Sequence, residues 1–251
     1  MRALAARVGR ALNERFTRRW APDAIPSRLS APVVSFSFDD FPRSALTVGG
    51  ALLKAQGALG TYFAAGRFAG VCEGGIDYFT DDDVRQATED GHEIGCHTFG
   101  HVRLPHAATA EIEATLAENA AYVRRIAPET ELTSFAYPFG HVSPTRKAMM
   151  GRRFPVCRGI WPGVNAGRID MAQLRAVPLE QNSFGKLDID AFIEEAVRRN
   201  GWLVFFSHDI SEAPSPYGYK PSELERVIRA VASRGVEILP IKAAAARVRF
   251  G

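Results

Sequence analysis

Strand-like apolar runs alternate with helix-like stretches along this chain, and no other feature restricts its fold so tightly. "VVSFSF" (Val33–Phe38) precedes a helical pattern over Leu46–Gln56, and "GTYFAA" precedes a helix over Thr80–Asp90. The first turn of that second helix is acidic, as the helix dipole favours. "HEIGCH" leads into "TAEIEATLAENAAYVRRIA", whose Ala, Leu and Glu content is strongly helical. "TSFAYP" is followed by a short helix, "PTRKAMMG"; "FPVCRGI" by a helix over Asp188–Asn200; and "WLVFFSH" by "PSELERVIRAVASRG", with proline at its start and glycine past its end. "VEILP" closes the series. Such alternation implies a largely parallel sheet covered by helices. Parallel strands buried on both faces read as continuous apolar runs, which these are. About seven units predict a single α/β domain over residues 31–251, a distorted (β/α)7-type barrel rather than an open doubly wound sheet.

The chain has 251 residues, 46% hydrophobic and 24% charged, enough to bury a core without covalent staples. A net charge of +3 is too small to argue for nucleic acid. Cys72, Cys96 and Cys157 are odd in number and form no CxxC pair, which suits a reducing, cytoplasmic setting. No run approaches the ~20 apolar residues that cross a bilayer, and the N-terminus does not read as a secretory signal. Residues 1–30 read instead as a helix and its linker. Leu4, Val8, Leu12 and Phe16 recur every four residues among Arg2, Arg7, Arg10, Arg15, Arg18 and Arg19, and "APDAIPSRLSAP" follows. This basic amphipathic helix, over residues 1–20, would pack on the domain or on a second copy of the chain, or rest on an anionic inner-membrane surface.

Three predicted strands end in groups that bind metal or move protons: Asp39 with Asp40, His97 with His101, and His208 with Asp209. Strand carboxyl ends converge on one face of a barrel. Two imidazoles and one carboxylate make a facial triad with open positions for water and substrate. The doubled aspartate offers one carboxylate for a metal and another for base work.

"SFDD", "HTFGH" and "FFSHD", in this order, resemble the NodB-homology polysaccharide deacetylases (carbohydrate esterase family four) over roughly Ala31–Val248. The resemblance implies a barrel, a divalent metal, usually Zn2+, and removal of acetyl from N-acetylated sugars. It makes Asp39 the general base, Asp40, His97 and His101 the metal ligands, and His208 the general acid. "FAYPFG" matches a third motif through Tyr137 and Phe139, with the Phe139 N–H as oxyanion donor. Ala136 stands where the family often has an arginine that orients the base. The fourth motif survives as "CRGIWPGVN", with Trp161 its remaining aromatic, and Arg158 is expected to supply the missing positive group from the neighbouring strand. Cys96 should pack away from its neighbour His97, and His92 should be structural. Asp209 reads as a supporting group or a turn cap. Tyr217 and Tyr219 form a sugar-stacking rim or a plain loop.

The function so implied is metal-dependent de-N-acetylation of a GlcNAc-type glycan in bacterial exopolysaccharide biosynthesis. The substrate would be an N-acetylated glycan or a lipid-linked oligosaccharide. Alternatives are a deformylase or deacylase of a lipid-linked amino sugar, and a catalytically silent glycan-binding relic.

Overall fold

The computed structural model describes Thr17 and residues 19–251. The amphipathic helix expected over residues 1–20 lies, but for Thr17, Arg19 and Trp20, outside them. Seven parallel strands follow one another around a curled sheet: β1 (Val33–Asp39), β2 (Thr61–Ala64), β3 (Glu93–Cys96), β4 (Ser134–Ala136), β5 (Val156–Arg158), β6 (Val177–Pro178) and β7 (Trp202–Ser207). The hydrogen-bonded order is β6-β7-β1-β2-β3-β4-β5. A parallel bridge between Arg158 and Leu174 brings the segment ahead of β6 alongside β5, so the circuit meets itself through one short contact. The result is the distorted barrel that the alternation predicts.

Helices cover the wall: a π-turn stretch Ala45–Gly50 running into α1 (Ala51–Lys54), then α2 (Asp81–Glu89), α3 (Thr109–Ile126), α4 (Pro144–Arg153), α5 (Ile189–Arg199), α6 (Pro221–Ala232) and α7 (Ile241–Phe250). Local chemistry fixes their ends. Thr80 caps α2 in a reciprocal box with Asp83. Asn200 ends α5 in the left-handed conformation, and Pro221 opens α6.

Two expectations need correction. "VEILP" is not the seventh wall strand: Glu237–Ile238 (β8) pairs only with Val33 and Val34 at the base of β1. The seventh position belongs to β6, which is too short to show in the sequence. And the chain does not end at that strand, because α7 follows. Its first N–H groups are held by side chains from distant strands, Ile241 N–H by Thr61 Oγ1 (2.9 Å) and Lys242 N–H by Glu93 Oε2 (2.8 Å).

Alternation sorts every wall residue. On β1, Phe36 and Phe38 face outward into a core with Leu53, Tyr62, Leu203 and Phe205. Val33 faces inward with Phe63, Ala136, Val156, Trp202, Val204 and Phe206. Ser35 shares that inner face and accepts the Trp202 indole N–H at 2.9 Å. By the same parity Asp39, Arg158 and His208 project into the upper end of the barrel, where the site forms.

Lys147, 2% exposed, extends from α4 to three acceptors: Asp170 Oδ2 (2.5 Å) and the carbonyls of Trp20 (2.6 Å) and Thr17 (2.9 Å). All three of its donors are thereby used, which offsets the cost of burying an ammonium. This clasp holds the segment entering the domain, and Ile25–Pro26 then pairs antiparallel with Arg168–Ile169. Lys147→Met strands Asp170, so it should lower stability by about 3 kcal/mol, and Lys147→Met with Asp170→Asn by less. Urea unfolding midpoints measure both, and an unchanged midpoint in the single variant would refute the clasp.

Candidate active site

The strand ends are bent to their task. Among the described residues six non-glycine positions have positive φ, and five of them surround this end of the barrel: Asp40 (59°), Phe41 (54°), Thr98 (59°), His101 (50°) and Phe139 (59°). A left-handed conformation costs an L-residue about 1–2 kcal/mol. At Asp40 it carries the carboxylate across the barrel mouth instead of along the strand. At Thr98 and His101 it folds "HTFGH" back, so that both imidazoles face that carboxylate. The four-residue spacing therefore works through a strained turn and not through a helix.

Asp40 Oδ1 lies 3.3 Å from His101 Nε2 and 3.6 Å from His97 Nε2. One donor atom from each of the three residues falls within 4.8 Å of the others. The His97 Nδ1 sits 2.8 Å from the Ala136 carbonyl, which fixes the proton there and leaves Nε2 as a lone pair aimed at the cluster. Burial pushes His97 down to about 4, and burial with the neighbouring His97 pushes His101 down to about 3, so both imidazoles are neutral at pH 7. Asp40 is raised to about 7, first by burial and then by Asp39, and its buried Oδ1 has no hydrogen-bond partner. Acceptor atoms gathered with no hydrogen bond between them are what a cation would satisfy. The N/O donor set suits a divalent metal with open coordination positions, and its charge would reverse the upward shift of Asp40.

Arg158 is wholly buried, and its guanidinium donates to Asp39 Oδ1. It also donates to the Gly159 carbonyl (3.1 Å) and lies against the rings of Phe206 (4.8 Å) and Phe63 (5.3 Å). In the β4–β5 ladder Ala136 and Arg158 are direct partners. The guanidinium expected of the Ala136 position thus comes from one strand further along, and the small Ala136 leaves room for it. Burial opposes ionisation of Asp39, but Arg158, with His97 and His208, outweighs it and holds the carboxyl below its usual range.

Asp39, Asp40, His97 and His101 line a cleft of about 590 Å3. His208 faces it from β7, with Nε2 4.0 Å from Asp40 Oδ2, and burial lowers its pKa. Phe139 stands at the rim, 42% exposed, with its ring 4.3 Å from that of His101 and under the Arg103 guanidinium (3.6 Å). Gly140, at φ 66°, is pressed so closely by Ile160 that a Cβ there would lie 2.3 Å from it. Tyr217, 55% exposed, forms the opposite rim beside His208, whereas Tyr219 is buried.

Tyr137 and Trp161 are not among the cleft residues, contrary to expectation. Strand parity turns Tyr137 outward with Phe135 and Cys157, where its hydroxyl donates to the Ala172 carbonyl (2.9 Å). Trp161 lies one residue past Ile160, which does line the cleft, and borders a separate cavity instead. Cys96 packs in the outer core as expected. His92 is buried beside the base of the barrel and accepts the Gly60 N–H at 3.0 Å. Asp209 is a turn cap, accepting the N–H and hydroxyl of Ser215.

Glu180 is the acid that sequence reasoning missed. It follows the two-residue β6, reaches 3.9 Å from His208 Nδ1, and is raised to about 7 by burial and then by Asp39. Only the proline-bounded "VPLE" before it hinted at a strand end.

Metal analysis tests the cluster directly. After dialysis against zinc and then buffer, the protein should retain about one divalent ion per chain. His101→Ala and Asp40→Asn should retain almost none while keeping the wild-type circular dichroism. Equal retention by all three proteins would refute the site.

Comparison with known proteins follows this geometry. A family model described as polysaccharide deacetylase matches residues 27–152, half of the chain. It takes in Asp39, Asp40, His97, His101 and Phe139 and stops short of Arg158 and His208. The chain is 32% identical over 108 residues to the chitooligosaccharide deacetylase of Azorhizobium caulinodans, covering 43% of this chain and 48% of that protein. It thus spans about half the length of the curated relative it matches. Among solved structures it resembles a family 4 acetyl xylan esterase from Clostridium thermocellum, solved with a cobalt ion (TM-score 0.56, 21% identity, 84% of this chain and 89% of that one). It also resembles a family 4 pseudoenzyme from Bacillus anthracis (TM-score 0.57, 12% identity, 87% of this chain and 67% of that one). At these identities the likeness is one of fold. The family match, over half of the chain and across the Asp-His-His cluster, places the chain in the polysaccharide deacetylase family.

Proposed function

We propose that this protein is a divalent-metal-dependent deacetylase, hydrolysing the acetamide of an N-acetylhexosamine within a glycan. A shared fold does not decide activity, since an esterase and a pseudoenzyme both have it, so the reading rests on the site. One observation carries it: an ionised, arginine-held carboxylate (Asp39), an Asp-His-His cluster and a second imidazole (His208) all face one cleft.

A bound divalent cation, zinc in this reading, would polarise the acetamide carbonyl and acidify the attacking water. Asp40, His97 and His101 would hold that cation. Asp39 takes the proton from the water as its oxygen joins the carbonyl carbon. Arg158 keeps Asp39 aimed and charged until then. The Phe139 N–H offers a donor for the oxygen on which negative charge develops. His208, in its imidazolium form, gives a proton to the nitrogen as the C–N bond breaks, so that an amine leaves and not an amide anion. Glu180 lies beside His208 on the far side, 3.9 Å from its Nδ1.

Substrate features follow from the walls. Ile160, Pro178 and Phe206 give the cleft an apolar side that suits an acetyl methyl better than a formyl hydrogen. The exposed ring of Tyr217 suits stacking on a sugar ring. The proposed setting is cytoplasmic exopolysaccharide biosynthesis, on polymer or on a lipid-linked oligosaccharide, with residues 1–20 as a membrane or self-association contact. The arginine-flanked apolar stripe of the sequence supports that setting.

Amine release from N-acetylglucosamine oligomers is the test. Asp39→Asn and His208→Ala should each lower kcat by at least about 100-fold with the metal retained. Full activity in either variant, or binding without release by the wild type, would overturn the reading. Arg158→Ala should cost about 100-fold, and adding Ala136→Arg should restore part of it, because the returned guanidinium reaches Asp39 from the adjacent strand. A fully active Arg158→Ala would remove Arg158 from the mechanism.

A further inference from the structure

A second cavity, of about 540 Å3, lies outside the barrel wall between the segment after β5 and α5. It shares no lining residue with the catalytic cleft. Its charges do not cancel. Asp170 is neutralised by Lys147, and Glu195 by Arg199. Among the described residues the Arg168 and Arg175 side chains donate only to the carbonyls of Ala24 and Pro162, and no ion pair engages either. Two permanent positive charges with spare donors therefore line the same hollow.

Gln173 borders the same cavity. Its side chain is 7% exposed, and neither the amide oxygen nor the amide nitrogen has a hydrogen-bond partner. A buried amide left unpaired is costly, and this one borders the cavity. An amide both donates and accepts, as a hydroxyl does, and the guanidinium pair demands negative charge. Trp161, half-buried, adds an aromatic wall. We propose that this cavity is a second binding site, for an oxyanion carried on a sugar: the phosphate of a sugar phosphate or the carboxylate of a uronate. The inference does not depend on catalysis in the cleft.

Isothermal titration of the full chain at low salt, with probes lacking any acetamide, tests it. Glucose 1-phosphate and glucuronate are the two charged arms, and the tighter of them identifies the oxyanion. At least one should bind saturably with Kd below about 1 mM. Neutral glucose and inorganic phosphate, each lacking one half of the recognised group, should bind at least about tenfold more weakly. Arg168→Ala with Arg175→Ala should weaken the charged sugar by about tenfold or more and leave amine release in the cleft unchanged. Gln173→Leu, which removes the unpaired amide, should weaken the charged sugar and not inorganic phosphate. Absence of saturation by both charged sugars, or unchanged affinity in the arginine variant with its activity intact, would overturn the proposal.

Discussion

The buried contact between Arg158 and Asp39 is the constraint around which the site is organised. A guanidinium with no exposure to solvent is tolerable only where a carboxylate, a carbonyl and ring faces replace water, and all three are present. In return the arginine keeps a fully buried aspartate ionised beside a second one, Asp40. Two adjacent carboxylates in one low-dielectric mouth would otherwise share a proton. The arginine thus divides the pair by role: one carboxylate stays charged and tied to the protein, and the other is left raised and unpartnered, open to a cation.

Parity explains how a chain delivers such a contact from residues 119 positions apart. Each strand of the barrel presents alternate side chains inward, and Asp39, Arg158 and His208 all fall on the inner phase near strand ends. Tyr137 and Cys157 fall on the outer phase and join the helix-covered core. Moving the guanidinium from the Ala136 position to Arg158 is a shift of one rung between register partners, which preserves both phase and height. A departure from family pattern that looks severe in the sequence is small in space.

Much of this was legible beforehand because it is written in local patterns. Apolar runs of six or seven residues marked β1 and β7, and the acidic first turn marked α2. The ligands sit in contiguous motifs at strand ends, so "SFDD" and "HTFGH" exposed them. What escaped had no local signature. β6 is two residues long and includes a proline. The α7 N-terminus is capped by Thr61 and Glu93 from strands far away in sequence. Glu180 is a lone acid whose meaning comes only from its nearness to His208. Trp161 was misplaced because a motif fixes a neighbourhood and not the side of the wall to which the next residue turns.

The five left-handed residues around the barrel mouth have a mechanical corollary. Local preference at Asp40, Phe41, Thr98, His101 and Phe139 opposes the shape they hold. The barrel below must therefore act as a clamp on its own loops. Glycine at a position such as Thr98, where the side chain is no ligand, would release that tension and let the fold relax, at the expense of the alignment it maintains. Ruggedness and aim are traded against each other at this rim, and natural drift toward a sturdier molecule would blunt the site first.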